Sequence, residues 1–307
     1  MRVFKSIENL PEIKSPVVTI GTFDGLHLGH QKIIDRINSI AHTIGGESVV
    51  ITFSPHPRLV LFPDDNDLKL LNTLDEKIER FRDYGVDNLI IYPFTKKFSR
   101  LTSVQFVRDI LVNKVRLKKL VIGYDHHFGR NREGSFEKLQ ELAPLYNFEV
   151  EEIPVLDVQE VSVSSTKIRK ALNAGDIATA KKYLGYPYSI KGKVVKGSQI
   201  GRTIGYPTAN IQLKGQHKLV PKDGSYAVYV YHNSVQLKGM LNIGIRPTVD
   251  GIKRVIEVNI FDFDENIYDS EITVEFVQKI REEQKFEELN LLKMQLANDK
   301  IKSLRIL

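Results

Sequence analysis

The sequence predicts an α/β amino-terminal half built on a parallel sheet, followed by a small antiparallel β-barrel with a carboxy-terminal helix. Three observations carry this. Up to about residue 184, short apolar runs alternate with amphipathic stretches at helical spacing, the pattern of strands joined by crossover helices. After Gly185-Tyr-Pro187 the texture turns to alternating segments broken by turn residues. One strong helical pattern, Phe286–Ser303, closes the chain, with Phe286, Leu289, Leu292 and Leu296 near helical spacing.

The elements follow in order. Val17–Ile20, Ser48–Phe53, Asn88–Tyr92, Leu120–Ile122 and Phe148–Ile153 read as buried strands. Gln31–Thr43, Asp75–Tyr84, Ser103–Val112 and Ser135–Leu145 read as the helices between them, and Ser164–Leu172 and Asp176–Leu184 as two more. Beyond the break, Tyr188–Lys196, Ser225–Tyr231, Val235–Ile243, Arg254–Phe261 and Glu271–Val277 read as strands. The 307 residues suffice for two domains, which these patterns place at 1–185 and 186–307. In parallel sheets ligands bind at the carboxyl ends of strands, so the residues just after each strand hold the candidate chemistry.

Composition narrows the function. The chain is 42% hydrophobic and 27% charged, ordinary for a globular protein. The net charge of +6 is small for the length, and no block of five basic residues occurs, so a nucleic-acid partner is not expected. Anionic small molecules such as nucleotides fit the mild excess. With no cysteine, disulfides, thiolate zinc sites and a cysteine nucleophile are excluded. MRVFKSIENLPEIK lacks the apolar core of a signal peptide, and no window approaches eighteen apolar residues; a cytoplasmic protein without a membrane partner is expected. Nothing in the sequence indicates the oligomeric state.

Four clusters stand after strands or at helix starts of the first half. GTFDGLHLGH (21–30) joins a strand to a helix through glycines, so backbone N–H groups and a helix N-terminus face outward, which suits an anion. His27 and His30, at i and i+3, can face one ligand and donate to phosphate oxygens. A metal site including Asp24, or a capping turn with incidental histidines, reads the same residues differently. Thr52-Phe-Ser-Pro-His-Pro57 holds His56 between two prolines, as a strand-terminal ligand or a stiff surface loop. Gly123-Tyr-Asp-His-His-Phe-Gly-Arg-Asn-Arg-Glu-Gly134 is either a pocket-shaping loop, through its glycines and Arg130, or a solvated one. In Ser164-Ser-Thr-Lys-Ile-Arg169 the hydroxyls either cap a helix or join it in binding polyphosphate.

In the second half, Gly192 to Ile211 (GKVVKGSQIGRTIGYPTANI) is glycine-rich without the GK[ST] of a Walker A loop, and no helix is expected to follow. If 207–211 is extended, Thr208 and Asn210 share a face, where a hydroxyl and an amide oxygen suit Mg²⁺.

Taken together, HxGH after the first strand and SSTxIR opening a late helix resemble the nucleotidylyltransferase superfamily. GTFDGLHLGHQ, TFSPHP, GYDxxFG and SSTKIRKAL, in that order over about 15–185, are similar to the FMN adenylyltransferase half of bacterial bifunctional riboflavin kinase/FAD synthetases. GxVxxGxxxGRxxGxPTAN, NIGIRPT (242–248), IEVNIFDFD (256–264) and FVQKIR (276–281) resemble the riboflavin kinase half. The resemblance implies a Rossmann-like nucleotidylyltransferase domain and a riboflavin kinase barrel. It implies ATP as co-substrate, Mg²⁺ as cofactor, and riboflavin and FMN as the flavin partners. On the first domain it places Gly21, Phe23, Asp24, His27 and His30 at ATP, and Ser164, Thr166 and Arg169 on its β- and γ-phosphates. It places His56 near the reacting phosphates, and Asp125 and Phe128 toward nucleotide and flavin. On the second domain it assigns Glu257 as proton acceptor for the ribityl hydroxyl. There Gly192, Gly201 and Arg202 would cover the ADP phosphates, with Thr208 and Asn210 at the metal and Arg281 and Phe286 beside the flavin at the start of the last helix.

The chain departs from the family at Thr22, often Asn; at His126 and His127, often an aromatic and an Arg; and at Asp269, usually Gly. The rival readings are a chain with only its kinase half active, a non-catalytic flavin- or nucleotide-binding regulator, and another cytidylyl- or adenylyltransferase, which would not need the kinase-like half.

Overall fold

A computed structural model describes all residues except 65–67, 125–126, 131–132, 154–162, 198–199 and 249–250. The chain divides into two compact units, Met1–Ser164 and Ser165–Leu307.

In the first unit a six-stranded sheet runs in the order β1-β4-β3-β2-β5-β6, with every pairing parallel. Its strands are β1 (Arg2–Phe4), β2 (Val17–Ile20), β3 (Ser48–Ser54), β4 (Asn88–Pro93), β5 (Lys119–Gly123) and β6 (Glu149–Ile153). Alternation along the strands divides the core into two layers. Val18, Ile20, Val49, Ile51, Leu120 and Ile122 pack on one face, and Val17, Val50, Leu89, Ile91 and Val121 on the other. Helix α1 (Leu28–Thr43) follows β2, a short α2 (Pro57–Leu61) follows β3, and α3 (Leu74–Asp83) precedes β4. Ser103–Gln105 (α4) begins the next helical stretch, which widens to i→i+5 spacing over Phe106–Val115; α5 (Phe136–Tyr146) leads into β6. From β2 the chain moves outward to β3 and β4, then returns to β5 on the other side of β2. The strand order thus reverses between β2 and β5, the position at which open α/β sheets leave a ligand crevice. The end of β2 delivers GTFDGLHLGH to that point.

The second unit opens with α6 (Ser165–Ala174) and α7 (Ile177–Leu184). These helices pack with the barrel: the Lys222 amide donates to the Leu172 carbonyl (2.9 Å), and α7 lies against β12. The structural division therefore falls about twenty residues ahead of the 185/186 boundary read from composition. Gly185 ends α7 with φ of 78°, a left-handed cap open to glycine. The barrel strands are β7 (Ser189–Val195), β8 (Ala209–Leu213), β9 (Gly224–His232), β10 (Val235–Thr248), β11 (Gly251–Ile260) and β12 (Glu271–Arg281), closed in the order β10-β11-β8-β7-β12-β9. A four-residue helix, α8 (Ile200–Thr203), stands in the glycine-rich segment where none was expected. The last helix, α9 (Leu289–Ile306), starts three residues later than its apolar spacing suggests, because Glu288 is extended. Arg281 therefore ends β12, and Phe286 precedes α9 instead of opening it.

Asp269 occupies a left-handed turn (φ 64°), a conformation that favours glycine; its carboxylate pairs with Lys193 at 2.7 Å.

Candidate active sites

The GTFDGLHLGH turn is held in a conformation that few sequences adopt. Phe23, Gly25 and Leu26 all have positive φ, at 46°, 88° and 32°. For the two non-glycine residues this costs roughly 1–2 kcal/mol each. Burial offsets it: Leu26 is fully buried and Phe23 is 2% exposed, worth about 1.5–3 kcal/mol apiece. Gly21 leaves room for the Phe23 ring, which a Cβ would approach to 3.1 Å. The product is a rigid approach to α1, with His27 at its N-cap. The His27 and His30 rings stack 3.7 Å apart at 15°, and Phe23 meets His30 edge-on at 5.1 Å. Burial, followed by the charges of His27 and Lys77, holds the His30 imidazole well below its usual pKa.

Asp24 is 2% exposed, and its Oδ1 accepts from the amides of Leu71 (2.9 Å) and Asn72 (3.3 Å). Its observed hydrogen bonds thus tie the turn to the 71–72 segment. The Thr22 carbonyl accepts from Lys77 Nζ (2.6 Å) and Thr52 Oγ1 (3.3 Å), so what the neighbours use at this position is backbone and not the Thr22 side chain. His56 caps α2, its Nδ1 accepting from the Arg58 amide at 3.2 Å. Phe128 pairs in a two-residue bridge with Gly134 and packs against Phe106. Asp125 and His126 lie outside the described residues. Ser164 ends the first unit, while Thr166 (exposed) and Arg169 (half-buried) belong to the first turns of α6 in the second.

In the barrel, strand register assembles residues far apart in sequence. Asn210 on β8 lies opposite Glu257 on β11, Glu257 opposite Asn242 on β10, Asn242 opposite Ser225 on β9, and Ser225 opposite Arg281 on β12. This belt of five residues lines a cleft of about 1320 Å³, together with Thr208, Gly201, Arg246, Glu283 and Phe286. Glu257 is 7% exposed and accepts a hydrogen bond from Arg246 Nη2. Among the described residues, neither the Thr208 hydroxyl nor the Asn210 amide has a hydrogen-bond partner. A hydroxyl and an amide oxygen beside a buried carboxylate form an all-oxygen donor set that fits a hard cation such as Mg²⁺.

Close packing keeps this arrangement. A Cβ on Gly197 would stand 2.1 Å from Asn210 Nδ2, and one on Gly201 would stand 2.2 Å from the Tyr206 carbonyl. Gly192 likewise allows β7 to approach the Gln212 carbonyl. Asn259 Nδ2 donates to the Pro207 carbonyl (2.7 Å), fixing the Pro-Thr-Ala-Asn segment from β11. Arg202 is exposed on α8. Arg281 Nε donates to Asp299 of α9, and the Arg281 guanidinium carbon lies 5.8 Å from the centre of the Phe286 ring. Glu283 fills the space left by Gly244 and accepts from Asn242 Nδ2 (3.4 Å); burial raises its carboxyl pKa. Lys77, Glu283 and Asp299 lie outside every motif read from the sequence, and Asn242, Arg246 and Asn259 lie inside NIGIRPT and IEVNIFDFD without being singled out there; the fold shows their contacts.

Residues 10–167 match the FAD synthetase family, and residues 184–307 match the riboflavin kinase family. A bifunctional riboflavin kinase/FMN adenylyltransferase of Buchnera aphidicola subsp. Schizaphis graminum is 39% identical over 306 residues, covering 97% of this chain and 96% of that protein. The protein of that description from Escherichia coli K12 is 38% identical, over 98% and 96%. A crystal structure titled macrolide-efflux protein, from Streptococcus pneumoniae, superposes with a TM-score of 0.89 at 32% identity, covering 98% of both chains. The function in that title is said of that protein; the likeness speaks for the fold. No described helix here is long and apolar enough to cross a membrane. The matches define the class: a nucleotidylyltransferase-type parallel sheet and a riboflavin-kinase barrel on one chain. The chain belongs to the bifunctional riboflavin kinase/FMN adenylyltransferase family.

Proposed function

We propose that this chain makes FMN from riboflavin on its barrel and FAD from FMN on its parallel sheet, with ATP as co-substrate of both reactions. The observation that carries it is the pairing of two family segments, in order, the first almost wholly on the unit of the parallel sheet and the second on the unit of the barrel. Functionally we divide the chain at 185/186, at the start of the second matched segment.

In the kinase reaction the riboflavin 5′-hydroxyl oxygen bonds to the γ-phosphorus of ATP as the bond to the β-bridging oxygen breaks, releasing ADP. Glu257 takes the hydroxyl proton, and Arg246 orients its carboxylate. Thr208 and Asn210 would hold Mg²⁺, which would supply neutralisation of phosphate charge. Arg281 and Phe286 flank the flavin, and the segment bearing Gly192, Gly201 and Arg202 covers the nucleotide phosphates. In the adenylyl transfer an FMN phosphate oxygen bonds to the α-phosphorus of ATP and pyrophosphate leaves. The protein's work there is positioning and charge stabilisation. His27 and His30 contact the phosphates from the rigid turn. Ser164, Thr166 and Arg169 are assigned to the β- and γ-phosphates on their motif, and His56, Asp125 and Phe128 to the flavin side.

The test is direct: incubate the full chain with riboflavin, ATP and Mg²⁺ and chromatograph the flavins, then repeat with FMN supplied. Both FMN and FAD are expected. FMN without FAD in either incubation overturns the second activity, and no conversion at all favours a binding protein.

A further inference from the structure

Helix α3 supports the GTFDGLHLGH turn at two points one helical turn apart. Phe81 packs edge-on against Phe23 (5.5 Å), and Lys77, four residues earlier, donates from Nζ to the Thr22 carbonyl at 2.6 Å. The helix is firmly set: Thr73 and Glu76 form a reciprocal capping box at its start. Lys77 is 6% exposed, an unusual place for an ammonium, which is almost never fully buried without a counter-charge. The carboxylate that acts on it, Asp24, is also buried and accepts from the Leu71 and Asn72 amides. Among the described residues, the carbonyl of Thr22 is the one hydrogen-bond acceptor that Lys77 has. Burial depresses the Lys77 pKa, yet the same group acts on His30 as a positive charge. A cation thus stands against the turn that carries the two histidines, close enough to act on His30. Its positive potential reaches an anion at that turn through a poorly solvated interior, where screening is weak.

We propose that Lys77 is a positioning residue for adenylyl transfer: it locks the turn through the Thr22 carbonyl and adds fixed positive charge near the triphosphate site, without touching the flavin. The proposal rests on the assignment of His27 and His30 to ATP.

The full chain is assayed as wild type, Lys77→Met, Lys77→Gln and His30→Ala. Both activities are measured, with KM for ATP and for FMN separated from kcat, alongside thermal melting. Lys77→Met should lose about tenfold or more in kcat/KM for ATP in FAD formation, the size of a lost charge-assisted contact. Its KM for FMN and its FMN formation from riboflavin should stay within about twofold of wild type. Lys77→Gln keeps a donor for Thr22 and removes the charge, so it should fall between. Lys77→Met with unchanged kcat/KM for ATP overturns the inference. So does Lys77→Gln equal to wild type, which leaves only a structural donor, and so does a rise in the KM for FMN alone. If Lys77→Met does not fold, Lys77→Gln decides by the same criterion. Should His30→Ala retain FAD formation, the assignment of the turn to ATP fails, separately from the role of Lys77.

Discussion

Arg281 and Asp299 form an ion pair that joins the end of β12 to α9. Arg281 Nε and Nη2 both lie 2.9 Å from Asp299 Oδ2, and Asp299 is wholly buried. Gln295 Nε2 and Ser225 Oγ add hydrogen bonds to the same carboxylate. Removing one partner of a buried pair leaves the other uncompensated, at about 3–5 kcal/mol. Asp299→Asn should therefore lower stability in urea by an amount of that order. It should also raise the KM for riboflavin, because Arg281 loses its anchor, while FMN supplied directly is still converted to FAD.

Glu257→Gln should reduce FMN formation by about 10²–10⁴, the usual worth of a general base. The substitution keeps size and an acceptor for Arg246 but cannot take a proton. FAD formation from supplied FMN should be unchanged; a parallel fall would contradict the separation of the two activities.

His30→Ala should do the reverse, costing FAD formation about 10²–10³, as for one lost transition-state donor. Flavin chromatography with riboflavin as the starting substrate should then show FMN accumulating.

The proposed assignment of Thr208 and Asn210 to Mg²⁺ predicts a change in metal requirement. Thr208→Ala and Asn210→Ala should each move the Mg²⁺ concentration for half-maximal FMN formation upward, by about tenfold if one ligand is worth about 1.4 kcal/mol. A maximal rate recovered at high Mg²⁺ would distinguish a ligand from a packing residue.

The buried His30 also predicts a pH dependence of stability. Its folded pKa is depressed below the usual 6.5, so the unfolded state binds the proton more readily. The contribution is complete above about pH 6.5 and is lost as pH falls from there toward the folded value. Melting followed from pH 7.5 to 5 should show this decline, and it should be shallower in His30→Gln.

The sequence disclosed most of the scaffold. Buried apolar runs located β2 to β6, and Gly185 with Pro187 marked the change of texture. Three-residue β1 offers too few positions for a period to show. Helix α8 was invisible because Ile200–Thr203 carries no capping or apolar pattern, and Arg281 reads as helical only until the extended Glu288 is seen. His27, His30, Thr208, Asn210 and Glu257 stood out because their motifs are local. Asp299 did not, since its partner Arg281 lies 18 residues away in sequence and meets it through helix docking; Asn242 and Arg246 lie inside NIGIRPT, but their placement beside Glu257, 15 and 11 residues away, comes only with strand register. Lys77 was hidden for a related reason: on a sequence it is one more charge on an amphipathic helix, and only its contact with Thr22, 55 residues earlier, turns it inward.

The belt Asn210–Glu257–Asn242–Ser225–Arg281 takes one residue from each of five strands in a closed ring. Neighbouring positions on a strand point to opposite faces, so a slip of one residue in any of these pairings would turn a belt residue away from the cleft. In a closed ring such a slip cannot be absorbed at an edge, because every strand is paired on both sides. Phosphorylation of riboflavin should therefore return in refolding only at the final step of ring closure, later than secondary structure seen by circular dichroism, which makes turnover itself a reporter of correct strand alignment.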